Sequence, residues 1–297
     1  MKNSTLRPIL ALITAMILWA SSFVALKFAI RFYDPMIVIF GRMMVASVFF
    51  LLIAYRFKTL EWKTRDLKWI AVMVLFEPCL YFLLEVRAIE NTTASQAGMI
   101  TAILPLLVAI GARIFLKEYL HWQTIAGFVV SISGAVWLSM GGSPSRFAPN
   151  PLLGNFFEFL AMLCATGYTL ILKRLTAFYP PLFLTGIQAI GGSIFYLPFL
   201  FLPSTTLPHE FHPIPFAAIL YLGVFITLGA YGLYNYGVSR ISAGKASAFV
   251  NLIPVFAVIL GWVILNEKFT VAQYFASGCV LIGVLISQTS PARRKNS

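Results

Sequence analysis

Glu77 and Arg42 place full charges deep inside apolar segments of this sequence. Glu77 lies about ten residues from each end of an apolar stretch at 67–86, and Arg42 lies about seven residues into another at 36–55. A charge at mid-bilayer costs on the order of 2.5–3.5 kcal/mol on insertion scales, so such a group faces the interior of a helix bundle or water. The carboxylate suits a proton or a substrate amine, and the guanidinium suits an anionic group.

Structural roles stay open for both charges. Consecutive apolar segments run antiparallel, so Arg42 and Glu77 come to similar depth and would neutralise each other as an ion pair. Glu77 also fits a solvated cavity wall, and Arg42 fits a residue that holds helices together or extends toward the interface. Pro78 disfavours helical geometry at Glu77 and predicts a bend there.

Aromatic and amide side chains in the apolar segments would line a cavity around these charges, because small-molecule pockets are mostly apolar with a few convergent polar groups. Tyr234 belongs to this group, and any of its Trp or Tyr residues also fits an interfacial anchor. We expect the substrate-binding or cavity positions to be Trp19, Phe23, Arg42, Glu77, Tyr81, Tyr168, Tyr231, Asn235 and Asn251.

Motifs for other chemistries are absent from the sequence. It contains no G-x-x-x-x-G-K-[ST] phosphate loop, no H-E-x-x-H and no G-x-S-x-G. The three cysteines are far apart, and the three histidines lie in predicted loops. We therefore expect no catalytic residue, metal or cofactor. An intramembrane enzyme acting through Glu77 is the alternative from another functional class.

The composition indicates a membrane protein. Hydrophobic residues make up 60% of the chain and charged residues 11%, and the mean hydropathy is +0.87. A soluble domain carries about 25% charged residues. Because a backbone crossing lipid must satisfy its own hydrogen bonds, the apolar segments predict helices. The predicted spans are 9–29, 36–55, 67–86, 94–113, 121–140, 152–172, 182–202, 215–236, 243–265 and 270–289.

The net charge of +12 is explained by topology rather than by nucleic-acid binding. With the N-terminus in the cytoplasm, 16 of the 22 Lys and Arg residues fall in cytoplasmic segments and 5 in the opposite ones. Cytoplasmic loops of membrane proteins carry this excess. Both termini are therefore predicted to be cytoplasmic, and no nucleic-acid partner is expected.

Two stretches of the chain repeat one pattern. Ala94–Ser139 aligns with Ala243–Gln288 at a constant offset of 149 without a gap, so that Pro105 falls on Pro254. The other predicted spans pair less cleanly, and spans 1–5 repeat as spans 6–10. Because five is odd, the second copy must enter from the opposite face, which gives an inverted repeat. The two prolines predict kinked helices that take part in gating.

Three further carboxylates receive structural predictions. Glu118 and Glu267 occupy equivalent places in the repeat and are expected to cap or pair with neighbouring helix ends. Glu158 lies one to two turns into the sixth span, within reach of water on the outer side, and a structural role is expected for it.

These residues together resemble an EamA-type member of the drug/metabolite transporter superfamily. The resemblance covers nearly the whole chain and is carried by residues 19–23, Pro35 with Arg42, and the repeated runs from Ala88 to Gly134 and from Gly237 to Gly283. It implies ten transmembrane helices, two five-helix repeats, a central cavity and alternating access without ATP. Relatives export amino acids, other small metabolites or toxic compounds. Cys164 stands where an aromatic residue is frequent.

The sequence thus predicts an all-α integral membrane protein with inverted repeats at 1–141 and 152–290 and a basic cytoplasmic tail at 291–297. The expected function is secondary active export of amino acids or related small metabolites, with protons as the coupling ion or by facilitated diffusion. Broad efflux of lipophilic cations or drugs is the alternative. The expected location is the bacterial inner membrane. A monomer is expected, and a dimer stays open.

Overall fold

The computed structural model describes residues 3–61, 63–115, 122–140, 144–146, 148–208, 210–241 and 243–288. Glu118 and the predicted tail at 291–297 lie outside these ranges. Within them the chain forms helices and no β-strand. The helical segments are α1 (Asn3–Ala29), α2 (Pro35–Phe57), α3 (Thr64–Asn91), α4 (Ala94–Phe115), α5 (Trp122–Met140), α6 (Pro151–Leu175), α7 (Pro181–Phe201), α8 (Pro213–Arg240), α9 (Ala246–Leu265) and α10 (Val271–Gln288).

Eight of these described helices are long and apolar enough to cross a membrane. α5 and α10 contain shorter apolar stretches, Ile125–Leu138 and Val271–Gly283. Large apolar side chains cover the outside of the bundle, with Leu52 67% and Phe201 80% exposed. Such a surface needs lipid around it. The prediction of an all-helical integral membrane protein is therefore confirmed.

Local sequence signals set where helices begin. Asp34 Oδ1 accepts a hydrogen bond of 2.9 Å from Met36 N, and Pro35 opens α2. Asn150 Oδ1 accepts from Leu153 N at 3.2 Å, and Pro151 opens α6. Side-chain oxygens satisfy amides that have no partner inside the helix, and proline at the first position lacks an amide that would need one.

Pro105 and Pro254 each follow a tightened turn. A 3₁₀ turn at Thr101–Ile103 precedes Pro105 in α4, and another at Phe249–Leu252 precedes Pro254 in α9. Proline removes one helical hydrogen bond and crowds the preceding turn, so the α-helical ladder is interrupted there. Each helix thus changes to a 3₁₀ turn just before its proline, and a part in gating stays a prediction.

Helix packing follows one pattern twice. α1 packs against α8 and α9, whereas α6 packs against α3 and α4. α2 lies along α7, and α5 lies along α10 in the most extensive helix contact of the described bundle. When five is added to each helix number, and ten is subtracted from any result above ten, α1 with its neighbours α8 and α9 becomes α6 with its neighbours α3 and α4.

Loop contacts define two ends of the bundle. At the first end, Tyr33 Oη donates to His212 O at 3.1 Å and Asn150 N donates to Asn91 O at 3.2 Å. At the second end, Lys63 N donates to Tyr179 Oη at 3.3 Å. The central cavity lies between these ends.

Candidate functional site

A cavity of about 40 Å³ lies at the centre of the bundle. Its walls come from α1, α2, α3, α4, α6, α8 and α9. A buried water needs at least about 10–15 Å³, so this space holds roughly three waters. Seven of the nine predicted positions line it: Trp19, Phe23, Arg42, Glu77, Tyr81, Tyr168 and Tyr231.

Glu77 sits where α3 is broken. Its backbone is extended, with φ −149° and ψ 114°, and its peptide bond to Pro78 is cis. The break frees backbone carbonyls that lipid cannot satisfy. Helix α7 satisfies them, because Gln188 Nε2 donates to Glu77 O at 2.9 Å and Tyr196 Oη donates to Pro78 O at 3.1 Å. The predicted bend at Pro78 is confirmed.

The Glu77 carboxyl faces the cavity with a phenol as its partner. It is 3% exposed, and Tyr231 Oη donates a hydrogen bond to its Oε1. Trp19 packs edge-on against the Tyr231 ring, with centroids 5.0 Å apart. Trp19 Nε1 is buried without a hydrogen-bond partner among the described residues. The cavity therefore offers one oriented carboxyl, aromatic walls and a free N–H donor.

Arg42 pairs with Glu85 and makes no ion pair with Glu77 among the described contacts. Its Nη1 lies 3.6 Å from Glu85 Oε2, and its Nε donates to Thr227 Oγ1 at 3.0 Å. Its guanidinium also lies over the Phe82 ring, 4.1 Å from the centroid. The predicted span 67–86 puts Glu85 at a membrane end. In the structure α3 continues to Asn91, and Glu85 is buried inside the bundle.

Asn235 and Asn251, predicted as cavity positions, do not line the cavity. Asn235 accepts a hydrogen bond from Tyr168 Oη and donates one to Thr185 Oγ1 at 2.9 Å, so it ties three helices together behind the wall. Asn251 lies in the 3₁₀ turn before Pro254, and its Oδ1 is buried without a partner in the described part of the chain. An amide deep in a span indicates burial but not the direction in which it points.

Other residues complete the site. Tyr234 packs against Trp19 with ring centroids 4.8 Å apart and bonds Thr169 at 3.2 Å. Ser22, Phe82, Glu85 and Thr101 also line the cavity. None of these four residues has a distinctive sequence signal by itself. Their shared position becomes visible only when the helices are assembled.

Glu158 and Glu267 have different outcomes. Glu158 was placed within reach of outer water, but its side chain has an exposure of 0%. The helix that carries it, α6, packs against α3 and α4. Glu267 caps α4 as predicted: its carboxylate accepts from Ala94 N and Ser95 N, both at 2.9 Å, and from Ser95 Oγ at 2.6 Å.

Comparison with known proteins gives a consistent result. A Bacillus subtilis protein named "Uncharacterized transporter YetK" is 27% identical over 72% of this chain, which spans 64% of that relative. An "Uncharacterized transporter" of Archaeoglobus fulgidus is 28% identical over 90% of this chain and 94% of its own. A "Probable terminal-alkyne amino-acid exporter" of Streptantibioticus cattleyicolor is 27% identical over 97% and 95%.

The fold and the family are matched over the whole chain. A solved crystal structure superimposes with a TM-score of 0.64 at 18% identity, covering 97% of this chain and 96% of that chain, which shows the shared fold. The sequence model of the EamA-like transporter family matches residues 6–140 and again 152–289. The chain therefore belongs to the EamA-like transporter family of the drug/metabolite transporter superfamily, and it is a transporter rather than an enzyme.

Proposed function

We propose that this transporter exports amino acids or related small metabolites by alternating access, in exchange for protons. The observation that carries the proposal is the Glu77 carboxyl, which faces the central cavity, is oriented by Tyr231 and has no ion-pair partner among the described residues. A buried carboxylate in that setting binds a cation, either a proton or a substrate ammonium. The name of the Streptantibioticus cattleyicolor relative, an amino-acid exporter, supports this substrate class.

The proposed architecture is ten spans in two inverted repeats, at 1–141 and 152–290. The two family matches support it. Lys27 Nζ donates to the carbonyls of Ile89, at 2.6 Å, and Thr92. At the opposite end of the bundle, Lys173 Nζ donates to Val238 O at 2.8 Å and Ile241 O at 2.7 Å. The accepting carbonyls are related by the 149-residue offset, so one contact recurs with its direction reversed.

Loop contacts support a membrane crossing by α5. α4 begins beside the first end, just after Asn91, and runs toward the second end. Asn150 follows α5 and donates to Asn91 O, which is back at the first end. A return of the chain across the bundle between the end of α4 and Asn150 accounts for this contact, which supports a crossing by α5. The extensive packing of α10 on α5 supports a crossing by α10 too.

The size of the cavity and the interrupted helices support alternating access. About 40 Å³ is too small for an amino acid, so the cavity must widen to bind one. The interruptions before Pro105 and Pro254 lie beside cavity residues Thr101, Leu104 and Ile253. We propose that α4 and α9 flex at these prolines to open the cavity to one side and then the other.

The proposed setting is the bacterial inner membrane with both termini in the cytoplasm. The excess of Lys and Arg in the predicted cytoplasmic segments supports this orientation. Because one chain encloses the whole cavity, we propose that a monomer is the transporting unit.

Efflux of lipophilic cations is a second candidate function. Arg42 is engaged by Glu85, Thr227 and Phe82, so Glu77 is left as the uncompensated charge of the cavity. An anionic cage walled by Trp19 and tyrosines suits an organic cation without a carboxylate. An amino acid would need a partner for its own carboxylate, and the Trp19 N–H, which has no hydrogen-bond partner among the described residues, is one candidate donor.

Liposomes that hold the purified protein and a pH-sensitive dye test the proposal. The panel offered outside contains labelled amino acids, primary amines and tetraphenylphosphonium. Wild type should show substrate-dependent flux with a change in internal pH, and Glu77→Gln should lose at least about tenfold of it. Glu90→Gln is the matched control, because Glu90 is also on α3 but pairs with Arg87 at the surface.

The panel separates the alternatives. Responses to amino acids support the first candidate, and responses to tetraphenylphosphonium alone support the second. Flux without any pH change in wild type rejects proton exchange and leaves facilitated diffusion. Equal losses in the two Glu→Gln variants reject a site at Glu77.

A further inference from the structure

Glu158 is a buried charge-bearing group that the cavity site does not use. Its side chain is 0% exposed, and neither Oε1 nor Oε2 has a hydrogen-bond partner in the described ranges. Buried polar groups are nearly always hydrogen-bonded, and an ionised carboxylate without a partner is the costliest exception. A proton on one oxygen removes the charge and much of this cost.

Glu158 lies on the same helical face as residues that line the central cavity, although it is not itself a lining residue. Met162, Ala165 and Thr169 line the cavity from α6. The successive steps from Glu158 to Met162, on to Ala165 and on to Thr169 are four, three and four residues. Residues at these spacings share one face of a helix. Glu158 therefore points to the same side as the cavity residues, about one turn closer to the first end.

The ionisable groups that act on Glu158 come from α3. Glu85 and Tyr81 are the groups whose charges interact with it, and Tyr81 Oη donates to Glu85 Oε1 at 3.1 Å. α4, α5 and α8 also pack on α6. The sequence of α4 and α5 contains a single ionisable residue, Arg113, at the far end of α4, and the part of α8 that packs on α6 carries three tyrosines and, at its last position, Arg240. The nearby carboxyl and phenol of Glu85 and Tyr81 are therefore the groups that act on Glu158.

Counted over Arg42, Tyr81, Glu85 and Glu158, and apart from the substrate site at Glu77, the charges balance only when Glu158 is neutral. Arg42 offsets one carboxylate, and its ion pair is with Glu85. With Glu158 protonated, this group of side chains has no net charge. With Glu158 ionised, it carries one uncompensated negative charge inside the membrane bundle, and it then attracts a cation.

We propose that Glu158 is the binding site of the coupling proton, separate from the substrate site at Glu77. This proposal rests on the proposed transport function. A proton from water on one side adds to a carboxylate oxygen of Glu158 and gives a neutral carboxylic acid. When the cavity faces the other side, that O–H bond breaks and the proton leaves to water. Exchange of one proton for one monovalent ammonium is then electroneutral.

Two transport assays on Glu158→Gln test the assignment. Glutamine has the size and neutrality of the protonated acid but cannot release a proton. With the panel of labelled amino acids, amines and tetraphenylphosphonium, the variant should keep exchange of labelled for unlabelled substrate to within about threefold of wild type. It should lose accumulation driven by a pH gradient by tenfold or more. Glu77→Gln should lose both activities, and Glu90→Gln should keep both.

A spectroscopic titration needs no substrate. Infrared difference spectra of the protein in liposomes, taken across a pH series, should show the C=O stretching band of a protonated carboxyl. Glu158→Gln should lose that band, and Glu90→Gln should retain it. Accumulation that survives in Glu158→Gln together with an unchanged band overturns the proposal. Absence of exchange in wild type for every compound overturns the transport proposal instead, and the infrared band still decides the protonation of Glu158.

Discussion

Arg42 and Glu85 face each other where almost no water reaches them. Their side chains are 2% and 6% exposed, and the charged atoms are 3.6 Å apart. Two charges taken out of water regain their lost hydration only through each other and through nearby hydrogen bonds. Thr227 and Tyr81 supply such bonds, one to each partner. The pair thus ties α2 to α3 beside the cavity.

Removing one partner of this pair should be far worse than removing both. Arg42→Met and Glu85→Gln should each lower the free energy of unfolding by roughly 3–5 kcal/mol, because each leaves a lone buried charge. The double variant should lose less than either single variant. Equilibrium unfolding in detergent measures all four proteins. Strictly additive losses would show that the two side chains do not depend on each other.

Residue type predicted much of the cavity but not its pairing. Glu77 was recognisable because a carboxylate is costly at mid-span, and the proline beside it breaks the helix at the same point. Glu85 was missed because a helix end was placed too early, and α3 extends to Asn91. The prediction put Glu158 within reach of outer water. The burial of a helix face depends on which helices cover it, and sequence periodicity does not identify those helices.

At the scale of helices, Glu267 fastens one helix hairpin to the start of another helix. Its carboxylate accepts hydrogen bonds from the backbone amides of Ala94 and Ser95, where the positive end of the α4 dipole favours an anion. The contact joins the turn between α9 and α10 to α4 at the first end of the bundle. A widening cavity at that end would have to break it.

Glu267→Gln should therefore loosen the first end. Losing the carboxylate should cost about 1–2 kcal/mol, which corresponds to a roughly 5–30-fold change in an opening equilibrium. Ala94 is fully buried, so a cysteine placed there reports opening. In a background where Cys79, Cys164 and Cys279 are replaced by serine, Ala94→Cys should react with maleimide that much faster when Glu267→Gln is added.

The matched control for this measurement is Glu90→Gln, at the same end of the bundle but paired with Arg87 on the surface. It should leave the labelling rate of Ala94→Cys within about twofold. If both variants speed labelling equally, the loss of a negative charge at this end controls the opening, and the hydrogen bonds from Glu267 to α4 do not.

Helix interruptions were the elements best predicted from sequence. Proline has a fixed local effect, so Pro78, Pro105 and Pro254 each mark a real change in the helical ladder. The side chains that replace the lost backbone hydrogen bonds come from distant parts of the sequence. Gln188 and Tyr196 of α7 fill the break at Glu77, and only the assembled bundle brings α7 to α3.

For the whole molecule, composition predicted the membrane and the repeat predicted the symmetry of contacts. The gap-free offset of 149 was visible because both copies keep their loops equally short. That offset relates Ile89 and Thr92 to Val238 and Ile241, whose carbonyls accept from Lys27 at one end of the bundle and from Lys173 at the other. Hydropathy gives its weakest signal for crossing at α5 and α10, since their apolar stretches are shorter.

Labelling at two exposed loop positions tests whether α5 crosses the membrane. Ser145 lies between α5 and α6, and Thr59 lies between α2 and α3. If α5 crosses, these loops are on opposite sides, and the excess of Lys and Arg puts Thr59 in the cytoplasm. In right-side-out vesicles of the cysteine-free background, an impermeant maleimide should therefore label Ser145→Cys at once. Thr59→Cys should react only after permeabilisation.

The pattern of the two labels identifies which premise fails. Protection of both cysteines means that α5 returns without crossing, because four preceding crossings leave residue 145 on the side of residue 59. Labelling of Thr59→Cys alone keeps the crossing by α5 and reverses the orientation. That reversal would also place the first end, with Glu267 and its cap on α4, on the cytoplasmic side. Protons that reach Glu158 through that end would then come from the cytoplasm.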